Sequence, residues 1–462
     1  MDDVDVIVIG AGPAGENAAG RCADTGLTVA VVERELLGGE CSYWACIPSK
    51  TLLRPGDVLA DARRVPGAAQ AVTRGVDAPE AFAQRDHMTG HWDDAGQEKW
   101  LAGKNIALVR GTGRLVGDHL VQVTGGDGAV VVRLRARRAV VLATGTRPLI
   151  PPVDGLRHIR LWDNRDATSA RQVPERLLVL GGGPVGVELA QGFRRLGCRE
   201  VTVVEGADRL LPREEPFAGG DVREAFEAEG ITVITGQLMA AAHRDTPYSP
   251  VVATLADGRE VTADEILVVV GRRPATDALG LESVGLRPGG FIEVDDRMRA
   301  ADVPAGWLYA VGDCNGRALL THMGKYQGRV AGDVIAGRRP APVTDVVPRV
   351  TFTDPQVCAV GKTEEQARRA LLPVRTALHG TGEVPGSYVQ GNGRGGTSML
   401  VADTERRTLV GATFTGQGVQ ELLHSATVAI VGGLTLDTLR DAVPSFPTVS
   451  EVWLNLLEQY GV

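Results

Sequence analysis

One pattern occurs twice in this chain, and it narrows the possible folds more than any other feature. Residues 5–33 read "DVIVIGAGPAGENAAGRCADTGLTVAVVE", and residues 177–205 read "LLVLGGGPVGVELAQGFRRLGCREVTVVE". Each is an apolar strand, a G-x-G-x-x-G turn, an amphipathic helix, a second strand and an acid at its end. Gly10, Gly12 and Gly15, and then Gly181, Gly183 and Gly186, permit a tight turn, a close approach to pyrophosphate and close helix–strand packing. Glu33 and Glu205 stand where a carboxylate can bind a ribose diol. A single such turn is a weak signal, but two with full β-α-β context predict two dinucleotide sites. The expected fold class is α/β.

At 462 residues the chain has room for two to four domains. Its net charge of −8 and the absence of a basic run argue against nucleic acid or an anionic membrane as partner. No apolar run reaches the ~18 residues of a membrane span. The start "MDDVDVIVIG" is acidic and leads straight into a strand, so no signal peptide is expected and the cytoplasm is the default location. Stable disulfides are rare there. Cys22, Cys198, Cys314 and Cys358 are scattered singly and read as ordinary thiols.

Cys41 and Cys46 differ, because they share the stretch "GGECSYWACIPSK". Three readings arise: a staple, half a metal site, or a redox pair. A zinc site would want a second Cys/His pair downstream, and none exists. Redox chemistry needs an electron source nearby, and the pair follows Glu33 by a few residues. Relay to a dithiol calls for a flavin, so the first ligand is expected to be FAD and the second a nicotinamide nucleotide. Glu205 would repel a 2′-phosphate, which favours NAD(H), with NADP(H) possible because Arg209 follows closely. The stretch reads as a helix opening after the hinge Gly38-Gly39. Residues five apart in a regular helix lie about 8.6 Å apart, beyond the ~7 Å a disulfide tolerates. Pro48 cannot donate to the Trp44 carbonyl and is expected to distort that turn. A helix start also favours thiolate. Only five of the 49 Lys and Arg residues are lysine, so Lys50, one turn past Cys46, suggests a need for a compact ammonium. Glu188 is a candidate partner.

From end to end the chain resembles the flavin-dependent pyridine nucleotide–disulfide oxidoreductases, the group of dihydrolipoamide dehydrogenase, glutathione reductase and mercuric reductase. The residues that carry this are "GAGPAG", "GGECSYWACIPSK", "ATGTRP", "GGGPVGVE", "VVGRRP", "YAVGDCNG" and "VTFTDPQVCAVGKTEEQA". The resemblance implies two Rossmann-like domains and a C-terminal α+β dimerisation domain. The FAD domain would be 1–150 with 276–343, the NAD(P) domain 151–275 and the dimerisation domain 344–462. Proline-rich linkers such as "RPLIPPVDG" fit these breaks. It implies a redox-active disulfide in which Cys41 meets the substrate and Cys46 the flavin. It places Lys50 and Glu188 near the flavin N5, Asp313 on the ribityl chain and Leu319, Leu320, Thr321 and His322 along the isoalloxazine. Gly113, Thr144 and Gly145 join the FAD site, and Gly271 joins the NAD site. Members are homodimers whose active site is shared between subunits.

The last domain departs from the pattern. The family's H-P-T-x-x-E supplies a histidine acid/base and a glutamate that orients it. Here "SFPTVSE" puts Phe446 in the histidine's place and keeps Glu451. A phenyl ring moves no protons, and His322 and His424 are poor substitutes. Three functions stay open: disulfide reduction without the histidine, reduction of a quinone, dye, oxygen or metal ion, or a thioether-cleaving reaction like that of 2-ketopropyl-coenzyme M oxidoreductase/carboxylase, which also has Phe here but lacks the Glu. A non-catalytic flavoprotein is a fourth, which intact Cys41, Cys46 and Lys50 oppose. The small-molecule acceptor is not legible. The tail "LLEQYGV" has no cysteine, unlike mercuric reductase and large thioredoxin reductase. Tyr43 and Trp44 read as packing against the neighbouring subunit or as an aromatic wall for a flat acceptor.

Overall fold

The computed structural model describes residues 2–393 and 395–462, which form two compact units. The first comprises the chain up to Pro48, Arg85–Leu149 and Gly271–Thr344; the second comprises Ser49–Gln84, Ile150–Val270 and Asp345–Val462.

The first unit is built on β1 (Asp2–Ile9), α1 (Pro13–Ala23) and β2 (Val29–Glu33). In its sheet, β1 lies parallel between β2 and the long strand Val130–Leu142, and β2 pairs in parallel with Ala107–Arg110. The long strand also pairs in parallel with Leu308–Ala310, while its first half runs antiparallel to Leu120–Thr124. Val6 and Val8 enter the core on one face, and Ile7 and Ile9 the core on the other. Burial on both faces explains why β1 reads as a nearly continuous apolar run. On the first face α1 packs against the helix Thr321–Ile335. Gly324 and Gly332 recur along that helix so that a Cβ there would come 3.3 Å from Ala14 and 2.7 Å from Arg21. Arg21 locks the pair with a two-pronged ion pair to Asp333 at 2.7 and 3.1 Å.

The second unit contains the second repeat. Its parallel sheet runs in the order Ile231–Ile234, Glu200–Val204, Arg176–Leu180, Glu265–Val268, with the helix Pro184–Arg195 following the second glycine turn. A three-stranded antiparallel sheet spans Met239–Ala263. The C-terminal part is a five-stranded antiparallel sheet packed by helices Leu422–Gly432 and Val452–Tyr460. The mixed sheet of the first unit, the parallel sheet of the second and the helix-packed antiparallel sheet agree with the expected fold class. Residues 49–84 group with this unit rather than with the segment before them.

Among the described residues no helix is long and apolar enough to cross a membrane, and no His/Cys/Asp/Glu cluster could hold a metal ion.

Candidate functional site

The first glycine turn has the shape a pyrophosphate needs. Gly10 has φ +99°, and a Cβ there would sit 2.5 Å from the Ala143 carbonyl oxygen. A Cβ on Gly15 would strike the Gly10 carbonyl, so helix and strand can touch only through glycine. Gly12, in contrast, faces open space, and α1 starts directly behind it. Glu33 accepts from Ala11 N at 2.7 Å and from Arg34 N and Glu35 N at 2.8 Å, which anchors the carboxylate at the mouth of the turn. Its remaining lone pairs can take a ribose diol. The buried Thr144 hydroxyl has no partner among the described residues, and Gly145 beside it faces open space. Asp313 accepts from Thr146 Oγ1 at 3.0 Å, and Arg272 Nε donates to that hydroxyl at 2.7 Å. Burial pushes the Asp313 carboxyl up from its ordinary value. An open cradle, an orphan hydroxyl and a buried acid fit a bound FAD. Gly113 does a different job: a Cβ there would press on Ile9 and Val32 at 3.1 Å, so it admits its strand over the ends of β1 and β2.

The dithiol is stapled to this turn. Gly38 N donates to Ala11 O at 2.8 Å, and a Cβ on Gly39 would lie 2.9 Å from Gly12 Cα. Both hinge residues have positive φ, +100° and +57°, which only glycine adopts cheaply. The expectation of one distorted helix is corrected here. A short helix α2 (Gly39–Tyr43) ends, Trp44 takes φ −137°, and a separate helix α3 (Cys46–Arg64) begins. Pro48 therefore falls in a first turn, where its missing N–H costs nothing. The break brings Cys46 into hydrogen-bond contact with Cys41, and Cys46 Sγ also lies 3.3 Å from Thr321 Oγ1. Contact with Cys46 and then burial raise the Cys41 thiol, while Thr321 and Lys325 pull it down. Favour toward thiolate from a helix start thus belongs to Cys46, the first residue of α3, and not to Cys41. Leu320 precedes the helix that Thr321 opens, with Leu319 and His322 exposed beside it. Tyr43 is 2% exposed, with its hydroxyl donating to Asp93 O at 3.4 Å, so its bulk fills its own unit and lines no intersubunit wall.

In the second unit, the second turn repeats the first. Gly181 has φ +117° with the Val269 carbonyl 2.7 Å from its would-be Cβ, Gly186 abuts Gly181, and Gly183 faces open space. Glu205 accepts from Gly182 N at 2.6 Å and Ala207 N at 2.7 Å. Arg209 is turned onto Asp208 Oδ1 and the Pro212 carbonyl. Gly271 belongs to the first unit, where its carbonyl accepts from Leu149 N at 3.0 Å.

Helices α3 and Pro184–Arg195 lie side by side and run in the same sense. Lys50 Nζ donates to Glu188 Oε2 at 2.6 Å, Gly192 faces Leu53, and Gly56 faces Arg195. The other Glu188 oxygen accepts from Phe352 N at 2.8 Å, and the Phe352 ring centroid lies 4.8 Å from Lys50 Nζ. At the far end Arg195 donates to Asp57 at 2.9 Å, Glu229 at 2.6 Å and Asp354 at 2.7 Å, and Arg64 also holds Asp354. The Arg195 and Arg64 guanidiniums hold the Asp354 carboxyl low despite its burial, whereas burial lifts Asp57 to about 7. Neither Phe352 nor this charge cluster was foreseen from sequence.

In the C-terminal part Phe446 is 75% exposed. Glu451 Oε2 is buried and has no partner among the described residues. Val428 and Val431, on the helix Leu422–Gly432, and Val443, after the helix Leu436–Asp441, are also exposed.

Comparison with known proteins agrees along the whole length. The pyridine nucleotide-disulphide oxidoreductase family model matches residues 4–328, and the model of that family's dimerisation domain matches residues 347–457. A dihydrolipoyl dehydrogenase of Haloarcula marismortui is 36% identical, covering 97% of this chain and 94% of its own. A mercuric reductase of Lysinibacillus sphaericus is 30% identical, covering 97% and 81%. Among solved structures, LpdA from Mycobacterium tuberculosis superposes with a TM-score of 0.87 at 24% identity over 100% of both chains. The HOCl-induced flavoprotein disulfide reductase RclA from Escherichia coli, as its Cu(II) complex, gives 0.86 at 24% over 99% of both.

Proposed function

The chain belongs to the pyridine nucleotide-disulphide oxidoreductases, FAD-dependent enzymes that use a pyridine nucleotide, and on that premise we propose that it passes electrons from NADH to the Cys41–Cys46 pair and on to a small disulfide, without a histidine acid/base. The observation that carries this reading is the staple between the dithiol and the first glycine turn, Gly38 N to Ala11 O at 2.8 Å with Gly39 against Gly12. FAD held by the Gly10–Gly15 turn, Glu33, Thr144 and Asp313 would exchange two electrons with the nicotinamide and with the dithiol. The chain's own residues orient and bias that exchange. Glu188, fixed on both oxygens, holds the Lys50 ammonium in one position. Thr321 Oγ1, 3.3 Å from Cys46 Sγ, holds that sulfur in place. Glu205, anchored by two backbone amides, offers its charge to a ribose diol and repels a 2′-phosphate, which favours NADH over NADPH. The dimerisation domain supports a homodimer, in which Phe446 would face the partner's interchange thiol. Glu451, with an unsatisfied buried oxygen, then has no imidazole to orient.

The exposed Phe446 ring favours a second reading, in which a flat quinone or dye is the acceptor and no leaving thiolate needs a proton. Cys41→Ser separates the two. Loss of NADH-driven disulfide reduction with quinone reduction kept supports the proposal for disulfides. A variant that still reduces a disulfide at the wild-type rate contradicts it.

A further inference from the structure

Gly90, His91 and Trp92 stand in succession in left-handed backbone, with φ of +58°, +54° and +59°. That conformation is costly for a residue with a Cβ and is normally visited by single residues. A bulky pair held there marks a backbone that its surroundings over-determine. Trp92 N donates to Thr89 O and Asp93 N to Gly90 O, each at 3.0 Å. The Trp92 ring centroid lies 5.5 Å from the guanidinium of Arg85, which is 1% exposed and donates to Asp86 Oδ1 at 2.7 Å. Asp93 Oδ1 accepts from Ala95 N at 2.8 Å, so the turn leads directly into the helix Ala95–Gly103.

The turn presents Asp93 and Asp94, and both reach the segment that carries Cys41. Buried Asp94 accepts from Leu37 N through Oδ2 at 2.7 Å, immediately before the hinge Gly38-Gly39. The Asp93 carbonyl accepts from the Tyr43 hydroxyl at 3.4 Å, at the end of α2. Arg110 joins the two sides, donating to Asp94 Oδ2 and to Glu35 O, each at 2.7 Å. A Cβ on Gly38 would lie 3.3 Å from Tyr43 Cε2, so the tyrosine ring closes over the hinge. Between these anchors α2 has only five residues and follows two left-handed glycines. A helix that short has no stability of its own.

Resting on the disulfide-reductase reading, we propose that Asp94 is a positioning residue for the dithiol, aimed by the left-handed turn Gly90–Trp92. A disulfide requires Cα atoms within ~7 Å, and residues five apart in a regular helix lie beyond that. The break at Trp44 permits the approach. Asp94 and the Asp93 carbonyl then keep α2 in place from outside, gripping the chain just before the hinge and at the last residue of the helix. Holding both ends of α2 raises the effective concentration of the Cys41 sulfur beside Cys46. The grip therefore favours the closed disulfide over the open dithiol.

The test is the thiol–disulfide equilibrium of the flavin-loaded protein in dithiothreitol buffers, with open Cys41 and Cys46 counted by alkylation. Dithiothreitol gives two electrons and two protons to the Cys41–Cys46 bond and becomes its own cyclic disulfide. Asp94→Ala is expected to shift the equilibrium toward the dithiol by ~10-fold. Arg110→Met, which frees both Asp94 and Glu35 O, should move it the same way by ~5-fold, and it carries the test if Asp94→Ala fails to take up flavin. Asp94→Asn can still accept from Leu37 N and should stay within about threefold of wild type. Arg21→Met breaks the Arg21–Asp333 pair in the same unit, so it should lower the melting temperature and leave the equilibrium unchanged. An equilibrium within about twofold of wild type, a shift toward the disulfide, or an equal shift in Arg21→Met overturns the proposal. If wild type forms no Cys41–Cys46 disulfide, the disulfide reading fails and the grip is judged on the alkylation rate of Cys41 alone. There Asp94→Ala must react at least ~3-fold faster, and equal rates overturn the proposal.

Discussion

The two glycine turns are close copies that have been put to different uses. In both, the first glycine presses on a neighbouring carbonyl, the third abuts the first, and the middle one, Gly12 or Gly183, faces open space. In both, an acid at the second strand's end, Glu33 or Glu205, is tied back to the turn by backbone amides. What differs is the next step of the chain. After Glu33 comes the hinge Gly38-Gly39, which folds a dithiol back onto the turn. After Glu205 no closely following cysteine pair appears, and the helix of the turn instead presents Glu188 to Lys50. The helical acid also shifts by one register: Glu16 stands where the second repeat has the fully buried Val187. The same β-α-β unit thus forms an open cradle in either place, beside a dithiol in the first and an ion pair in the second.

The largest effects come from filling the two open cradles separately. Gly12→Val should yield a colourless protein, because a branched side chain occupies the space for pyrophosphate. Gly183→Val should stay yellow yet be reduced by NADH on the order of 10²-fold more slowly or worse. Flavin absorbance with stopped-flow reduction checks both, and flavin loss from Gly183→Val alone would reverse the assignment. Next, Arg195→Met leaves Asp57, Glu229 and Asp354 buried without their shared cation, a loss of about 3–5 kcal/mol that thermal unfolding would register. Glu188→Gln releases the Lys50 ammonium and weakens the bond from Phe352 N, costing about 1–3 kcal/mol. It should also shift the flavin potential, a readout that Arg195→Met should leave in place. The smallest effect is a pH slope. Asp57 is lifted to about 7 in the folded protein, above the ~3.9 of a free aspartate. Its contribution to stability is therefore complete below about pH 4 and is lost as pH rises through about 7. Asp57→Asn should flatten the decline of the melting temperature over that window.

Both turns and their acids were legible because a local pattern of glycines and strands carries them, and Lys50 stood out because lysine is so scarce. The Cys41–Cys46 helix break was only half legible. Pro48 signalled a disturbance, but Trp44, not Pro48, sits at the break. Phe352 and Arg195 were not legible, since their partners lie far along the chain: 164 residues separate Phe352 from Glu188, and 159 separate Arg195 from Asp354. Tyr43 misled for the same reason, because only the fold shows that Asp93 receives its hydroxyl.

The central claim is that electrons reach the dithiol stapled to the first turn. The most direct measurement is an anaerobic NADH titration of the purified protein, with spectra recorded and thiols counted before and after. The account predicts two new thiols, mapped to Cys41 and Cys46, and a long-wavelength absorbance from thiolate beside flavin. Bleaching of the flavin with no new thiols would contradict it and make the cysteines bystanders.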